Sequence, residues 1–255
     1  MTSTHDATGG VRDVKSAGRA IELLEFLARR RANPPRLNEM AQALDAPRSS
    51  VYAILRTLQA RGWVQTDGSE GYSLGLRALI TGTSYIDADP HVRIVGPLLT
   101  DLATQFDETF HLGRIDTDRI VYLVTQESRQ DIRPYSRVGR RMPATATGLG
   151  KAVLAERPEL VPATFEQLTP RSITDTEAFE AEMRATRLRG YAIDNEESTT
   201  GLRCIALALP YTEPVTDAIS CSIPASRWTQ QREDEIVAAM RLAAERAVAQ
   251  APLRS

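Results

Sequence analysis

The chain has 255 residues, enough for one or two domains of ordinary size. Its formal charge is -2, with 42 % hydrophobic and 25 % charged residues, a balance that fits a folded protein and argues against non-specific coating of nucleic acid. Two cysteines, Cys204 and Cys221, exclude a disulfide framework and a four-cysteine zinc site, and a reducing cytoplasm is the expected compartment.

Residues 1–13 lack an apolar core and read as a flexible leader rather than a signal peptide. No apolar run approaches the ~20 residues that span a bilayer. A first helix is predicted over 15–30, where Ala20, Leu23, Leu24 and Leu27 form one stripe and Ser16 stands at the start as cap. Arg29, Arg30 and Arg31 close it, and Asn33-Pro34-Pro35 breaks the chain. Leu37, Met40, Ala41 and Leu44 repeat the spacing, with Asn38 as the expected N-cap. After Asp45-Ala46, Pro47 opens a third helix carrying Val51, Ile54, Leu55 and Leu58, which ends at Arg61-Gly62.

Two short helices joined by a tight turn point to a helix-turn-helix, whose second helix enters the DNA major groove. The exposed face of that helix carries Arg48, Ser49, Ser50, Tyr52 and Arg56. Arginine suits a bidentate contact to guanine or a phosphate clamp, and serine hydroxyls suit phosphates. The competing reading of the spacing is an αα-hairpin with a solvated face. Strand-like Trp63-Val64-Gln65 and Tyr72-Ser73-Leu74 flank turn residues 67–71, which makes a β-hairpin wing. Residues 1–75 carry 10 Lys/Arg against 8 Asp/Glu, the remainder 21 against 25.

The runs SAGRAIELLEFL, LNEMAQALDAPRSSVYAILRTLQARGWV and GYSLGLRAL resemble the DNA-binding domain of IclR-family transcriptional regulators. One departure is Asp45, where the family often has Gly, and Asp tolerates the left-handed conformation that the turn needs. The resemblance places Arg36, Pro47, Arg48, Ser49, Ser50, Tyr52, Ala53 and Arg56 as the DNA-contact set of a winged helix-turn-helix over 14–75. Tyr52 and Ala53 vary in the family, so the operator stays open.

Residues 76–88 read as a linker helix with Leu76, Leu79, Ile80 and Ile86 apolar. Asp89-Pro90 marks a boundary, and a helical stripe follows over 91–106. Strand-like segments are expected at 109–115, 119–126, 131–138, 191–194, 204–209 and 217–223. Helices are expected over 146–156, from a Thr174/Glu177 capping box to Arg189-Gly190, and around Ile236, Met240, Ala243 and Ala247. Helices at both ends of a mostly antiparallel sheet make residues 89–251 an α+β domain.

The resemblance extends here through VYLVTQES, YSRVGRRMPATATGLGKAVLA, RGYAIDNEESTTGLRCIALAL and AISCSIP, and in all covers about residues 14–249. They are similar to the IclR effector-binding domain, a GAF/PAS-like fold. Thr147, Gly148 and Leu149 form a glycine-rich helix entry that could hold an anion. Asp194 can accept from ligand hydroxyls, and Ser220 and Ser222 share one strand face. The resemblance makes Gly148, Leu149, Asp194, Cys204, Ser220 and Ser222 ligand-contacting positions, with Ile132 and Tyr135 as an apolar wall. Against this stand turn glycines, locally satisfied serines and a small core cysteine.

Enzyme signatures fail. The Walker A pattern is broken at Thr145 and Ala152, and GxGxxG at Val153. No GxSxG or HExxH occurs, and His5, His91 and His111 are the only histidines. Cys204/His111 is the one imaginable nucleophile–base pair, and Cys204, Cys221 and a carboxylate show no metal spacing. No catalytic residue, cofactor or metal is expected.

The reading is a ligand-responsive regulator, in the first instance a repressor of a catabolic operon. The resemblance implies a homodimer or dimer of dimers reading a pseudo-palindromic double-stranded operator, with the linker stripe as seam. The stretch ESRQDIRPYSRVGRR is more similar to the sugar-acid-sensing, 2-keto-3-deoxygluconate branch, so the expected effector is a small organic acid such as a sugar acid or keto acid. The alternatives are an activator of aromatic-acid catabolism, a sensor enzyme using Cys204, and a protein-interaction module.

Overall fold

A computed structural model describes residues 14–30, 33–66, 71–134 and 136–251. The expected leader, Arg31, the wing-turn residues 67–70 and Tyr135 lie outside the described residues. The chain divides into two compact units between Tyr85 and Ile86.

The first unit holds α1 (Lys15–Arg29), α2 (Leu37–Ala43) and α3 (Arg48–Ala60), then strands β1 (Val64–Thr66) and β2 (Tyr72–Leu74). The stripes of the three helices converge: Leu23, Leu27, Met40, Val51 and Leu55 bury together with Val64 of β1. The turn between α2 and α3 closes with Asp45 at φ 43°, the left-handed conformation that the Asp tolerates. Gly62 ends α3 at φ 73°. The strands pair antiparallel, Val64 opposite Leu74 and Thr66 opposite Tyr72.

Two caps differ from expectation. Val14 precedes α1 with no side-chain cap, and Ser16 lies inside the helix. Arg36, not Asn38, is the N-cap of α2: its backbone N–H donates to Glu39 Oε1 at 3.1 Å. The chain is already helical at Leu37, so Asn38 lies inside the first turn, past the cap position.

Helix α4 (Leu76–Ala88) buries none of its residues, and Leu76, Leu79, Ile80 and Tyr85 are exposed. No described helix is long and apolar enough to cross a membrane.

The second unit is a six-stranded sheet of β3 (Thr109–Asp116), β4 (Arg119–Gln126), β5 (Arg141–Pro143), β6 (Ala192–Asn195), β7 (Leu202–Leu209) and β8 (Asp217–Pro224). The spatial order is β5-β4-β3-β8-β7-β6 and every pairing is antiparallel. One face packs on α5 (Pro90–Phe106) and α8 (Gln230–Gln250) through Phe110, Leu112, Ile205, Ile219, Cys221 and Ile223. The other face carries α6 (Gly148–Glu156) and α7 (Thr176–Arg189) over Ile120, Ala192, Ala206 and Ala218. Period-two alternation thus sends Cys204 and Cys221 to opposite faces.

Two further expectations are corrected. The described residues of 131–138 are not in a strand. They belong to a long connection after β4 that contains Pro134, which has no donor for a ladder. Side chains hold that connection instead: Ser128 Oγ donates to Asp107 O at 2.7 Å, and Arg227 Nη1 donates to Ile132 O at 3.0 Å. The edge strand beside β4 is β5. Helix α7 is capped by Asp175 rather than by a Thr174 box, because the Asp175 carboxylate accepts from the N–H groups of Glu177 and Ala178.

The start of α5 is anchored to the sheet. Asp89 accepts from the backbone N–H of His91 and Val92 and receives a hydrogen bond from Arg114 of β3. Arg114 also grips Asp217 of β8 with two bonds of 2.7 Å, and Tyr211 donates to the same carboxylate at 2.6 Å.

Candidate functional site

Two surfaces gather the residues singled out by sequence. The first is the outer face of α3. Burial of Val51 and Leu55 turns Arg48, Ser49, Tyr52, Ala53 and Arg56 outward, and all five are exposed, as are Arg36 and Pro47. Tyr52 is 48 % exposed, which leaves its ring and hydroxyl available on this face. Ser50 is the exception. It is half-buried, and Arg19 Nη1 of α1 donates to its Oγ at 3.3 Å. Arg19 was not legible as a member, because only the packing of α1 across α3 brings it there.

The second surface is the α6 face of the sheet, where the strand register assembles a polar row. His111 lies opposite Ser220, Thr109 opposite Ser222, Cys204 opposite Ser222, and Asp194 opposite Cys204. All six are buried. Ser222 Oγ and Cys204 Sγ are 3.2 Å apart. The entry to α6 lies on this row: a Cβ added to Gly148 would stand 3.5 Å from Cys204 Cβ and 3.4 Å from Ala206 Cβ. Gly150 has a different task. A Cβ there would meet Ala144 O at 2.0 Å, so glycine allows two backbone segments to touch. Thr147 caps α6 by accepting from Gly150 N–H at 3.2 Å. Leu149 is buried against the Gly113 bulge of β3 and is a core residue by position.

Asp194 is committed locally. Its Oδ1 accepts from the N–H of Glu197 at 2.7 Å and of Ser198 at 3.2 Å, and Ser198 Oγ donates to Oδ2. It holds the turn after β6, which leaves little of its carboxylate for ligand hydroxyls. Burial pushes its carboxyl above the ordinary range, against the pull of the Ser198 bond and the Lys151 charge. Ile132 lies on the connection after β4 with 74 % of its surface exposed, so its side chain forms no wall over the row.

Two groups of this face, Lys151 and Tyr122, had no sequence signal. Lys151 is fully buried on α6, and its Nζ donates to Glu197 Oε1 at 2.6 Å with Glu182 at 3.6 Å. Tyr122 of β4 meets the His111 ring edge-on, with centroids 5.1 Å apart. His111, weighed in the sequence only as a partner for Cys204, stands within the row. Burial, with the Arg140 charge adding to it, pushes the imidazole down to about 3, so it is neutral at ordinary pH. Burial likewise raises the Tyr122 phenol and the Cys204 thiol, which keeps both protonated. A thiol held protonated beside a neutral imidazole that it does not touch is no nucleophile–base pair.

The comparisons agree with this geometry. Residues 16–68 match the model of the IclR helix-turn-helix domain, and residues 83–249 match that of the C-terminal domain of bacterial IclR transcriptional regulators. The chain is 36 % identical over 222 residues to the transcriptional regulator KdgR of Escherichia coli, covering 84 % of each chain. It is 31 % identical over 244 residues to the transcriptional repressor IclR of the same species, covering 91 % of this chain and 87 % of the repressor. Among solved structures, an IclR-type regulator from Alicyclobacillus acidocaldarius shares the fold at 24 % identity and a TM-score of 0.82, over 94 % of this chain and all of that one. The C-terminal domain of Escherichia coli KdgR is 34 % identical with a TM-score of 0.56, over 63 % of this chain and 97 % of that domain. The relatives named here are regulators rather than enzymes, and the two family domains together span residues 16–68 and 83–249: the chain belongs to the IclR family of ligand-responsive, DNA-binding transcriptional regulators.

Proposed function

We propose that the protein represses a catabolic operon by binding a pseudo-palindromic operator as a homodimer or dimer of dimers, and that a small organic acid releases it. Arg36, Pro47, Arg48, Ser49, Tyr52, Ala53 and Arg56 make the DNA contacts, with Ser50 held between Arg19 and the groove. The observation that carries this reading is the exposure of Arg48, Ser49, Tyr52 and Arg56 on the face of α3 opposite its buried Val51 and Leu55. The exposed apolar side chains of α4 supply the dimer seam, and operator binding places the protein in the cytoplasm.

The effector occupies the row of Ser220, Ser222, Cys204 and the α6 entry at Thr147, Gly148 and Leu149. Similarity to KdgR supports a sugar acid or keto acid. Binding there acts by favouring one dimer geometry over another. A mobility shift with DNA from upstream of the protein's own gene, at ~150 mM salt where non-specific phosphate binding is weak, tests the reading. A specific shift that sugar acids reverse is the expected result. Absence of any specific sequence in a random-DNA selection, with folded protein, overturns it. Sedimentation as a monomer at micromolar concentration overturns the assembly.

A further inference from the structure

We propose that the connection between β4 and β5 is the door of the buried polar row, and that Arg227 is its latch. The inference rests on the regulator reading above and adds the route by which an effector enters. Burial demands such a route. Thr109, His111, Asp194, Cys204, Ser220 and Ser222 are each 8 % exposed or less, so no solute reaches them until a covering element moves. Helix α6 is fixed in place: its glycine entry touches backbone at Ala144, and its Lys151 is fastened to Glu197 in the interior. The connection is held differently.

It starts and ends against the row. Ser128 N–H donates to Thr109 Oγ1 at 3.1 Å, and Gly139 N–H donates at 2.8 Å to the carbonyl of Tyr122, whose ring meets His111. Asp107 fixes the first end further by accepting from Arg129 N–H at 2.9 Å and from Gln130 Nε2 at 2.7 Å. At the second end a tight turn closes with Arg140 N–H on Arg137 O at 3.1 Å. Among the described residues between these ends, one bond comes from outside the connection, Arg227 Nη1 to Ile132 O at 3.0 Å. Asp131, Ile132 and Arg133 are exposed, while Ser136 is buried with no partner for its Oγ. A segment held by so few bonds opens locally before the sheet does. The latch itself is held firmly. Arg227 places Nε and Nη2 on the two oxygens of fully buried Glu108, at 3.0 and 2.6 Å, which leaves Nη1 for Ile132. Glu108 directly precedes Thr109, so the latch closes on the strand that carries the row. Arg232 also reaches Glu108, at 3.1 Å, and this carboxylate therefore keeps a cation when Arg227 is replaced.

The two cysteines report on the door without any ligand. Cys204 belongs to the row, and Cys221 faces α5 and α8 on the other side of the sheet. The test exposes the full chain and its R227M and R227K variants to N-ethylmaleimide at one pH and follows each cysteine by peptide mass spectrometry. Cys204 should label faster than Cys221 in wild type. R227M should speed Cys204 relative to Cys221 by roughly 10- to 150-fold, the loss of one charge-assisted hydrogen bond. R227K should fall between, because one ammonium lacks the fork that holds Glu108 and Ile132 together. Equal Cys204 rates in wild type and R227M overturn the inference. So does an equal acceleration of both cysteines, which reports global unfolding, and so does a wild-type Cys204 that labels no faster than Cys221. Should R227M lose its melting transition, R227K decides, and a Cys204 rate equal to wild type overturns the latch. A mobility shift on the same wild-type sample separates the two failures: a specific operator shift beside an overturning labelling result removes only this inference, whereas no specific shift removes the regulator reading on which the effector route rests.

Discussion

The two units hold their polar groups in opposite ways. The DNA-binding unit keeps a small apolar core and turns its candidate contacts outward on one face of α3. The sensor unit buries its polar row between a sheet and α6, where each group needs a partner from another element. A surface contact can be replaced at little cost to folding, whereas a buried polar group is bound to stability as well as to recognition. Substitutions in α3 should therefore separate function from fold, and substitutions around α6 should not.

Lys151 gives the largest expected effect. It is fully buried and tied to Glu197, itself buried with Oε2 lacking a partner. Lys151→Met leaves that carboxylate without its cation, and about 3–5 kcal/mol of stability should be lost from the sensor unit in urea unfolding. A loss below ~1 kcal/mol would show that Glu197 simply takes up a proton, and the contrast between the units would weaken. Gly150→Ala follows. Its Cβ would press on the Ala144 carbonyl at 2.0 Å, and overpacking of this kind costs about 1–3 kcal/mol. A variant as stable as wild type would mean that the α6 entry can slide, and effector affinity on the same protein would report where it went.

Legibility followed the same division. Helical stripes in 15–62 gave the three helices and the exposed face, since Val51 and Leu55 fix which side of α3 is out. Asp45 was readable because its turn is local. In the sensor unit the strands of the row were readable from alternation, and so was the shared face of Ser220 and Ser222. What joins that row was not: Lys151 reads as one more helix residue, and its burial against Glu197 depends on the turn after β6. Asp194 reads as an open acceptor, yet the turn at 195–198 claims it. Such partnerships depend on register between distant strands, which no local period encodes.

Arg56→Ala sharpens the comparison from the other side. If Arg56 reads a base, operator affinity should fall by about 1–3 kcal/mol, roughly 5- to 150-fold, for that site and less for non-specific DNA. Its melting temperature should match wild type, because the side chain is exposed and touches none of the core. An equal loss on all DNA would make Arg56 a phosphate contact instead, with a shallower salt dependence as its signature.

The smallest effect is a change of slope. Asp89 caps α5 and receives Arg114. Burial opposes its charge, but the Arg114 bond and the N–H groups of Val92 and His91 outweigh that and hold its carboxyl below the ordinary 3.8. A carboxyl lowered in the folded state contributes stability that is whole above the unfolded value of 3.8 and is lost as pH falls through the lower folded value. Asp89→Asn keeps a cap acceptor and has no charge to lose. The variant should melt earlier than wild type near neutrality, and the two melting temperatures should converge as pH falls below 3.8. Asp194 and Glu197 carry raised pKa values and the opposite sign, with stability falling as pH rises through their folded values. They are common to both proteins and cancel in the difference. Parallel curves would mean that Asp217 alone holds Arg114, so that α5 is fixed by its apolar stripe and the burial of charge in this unit is confined to the α6 face.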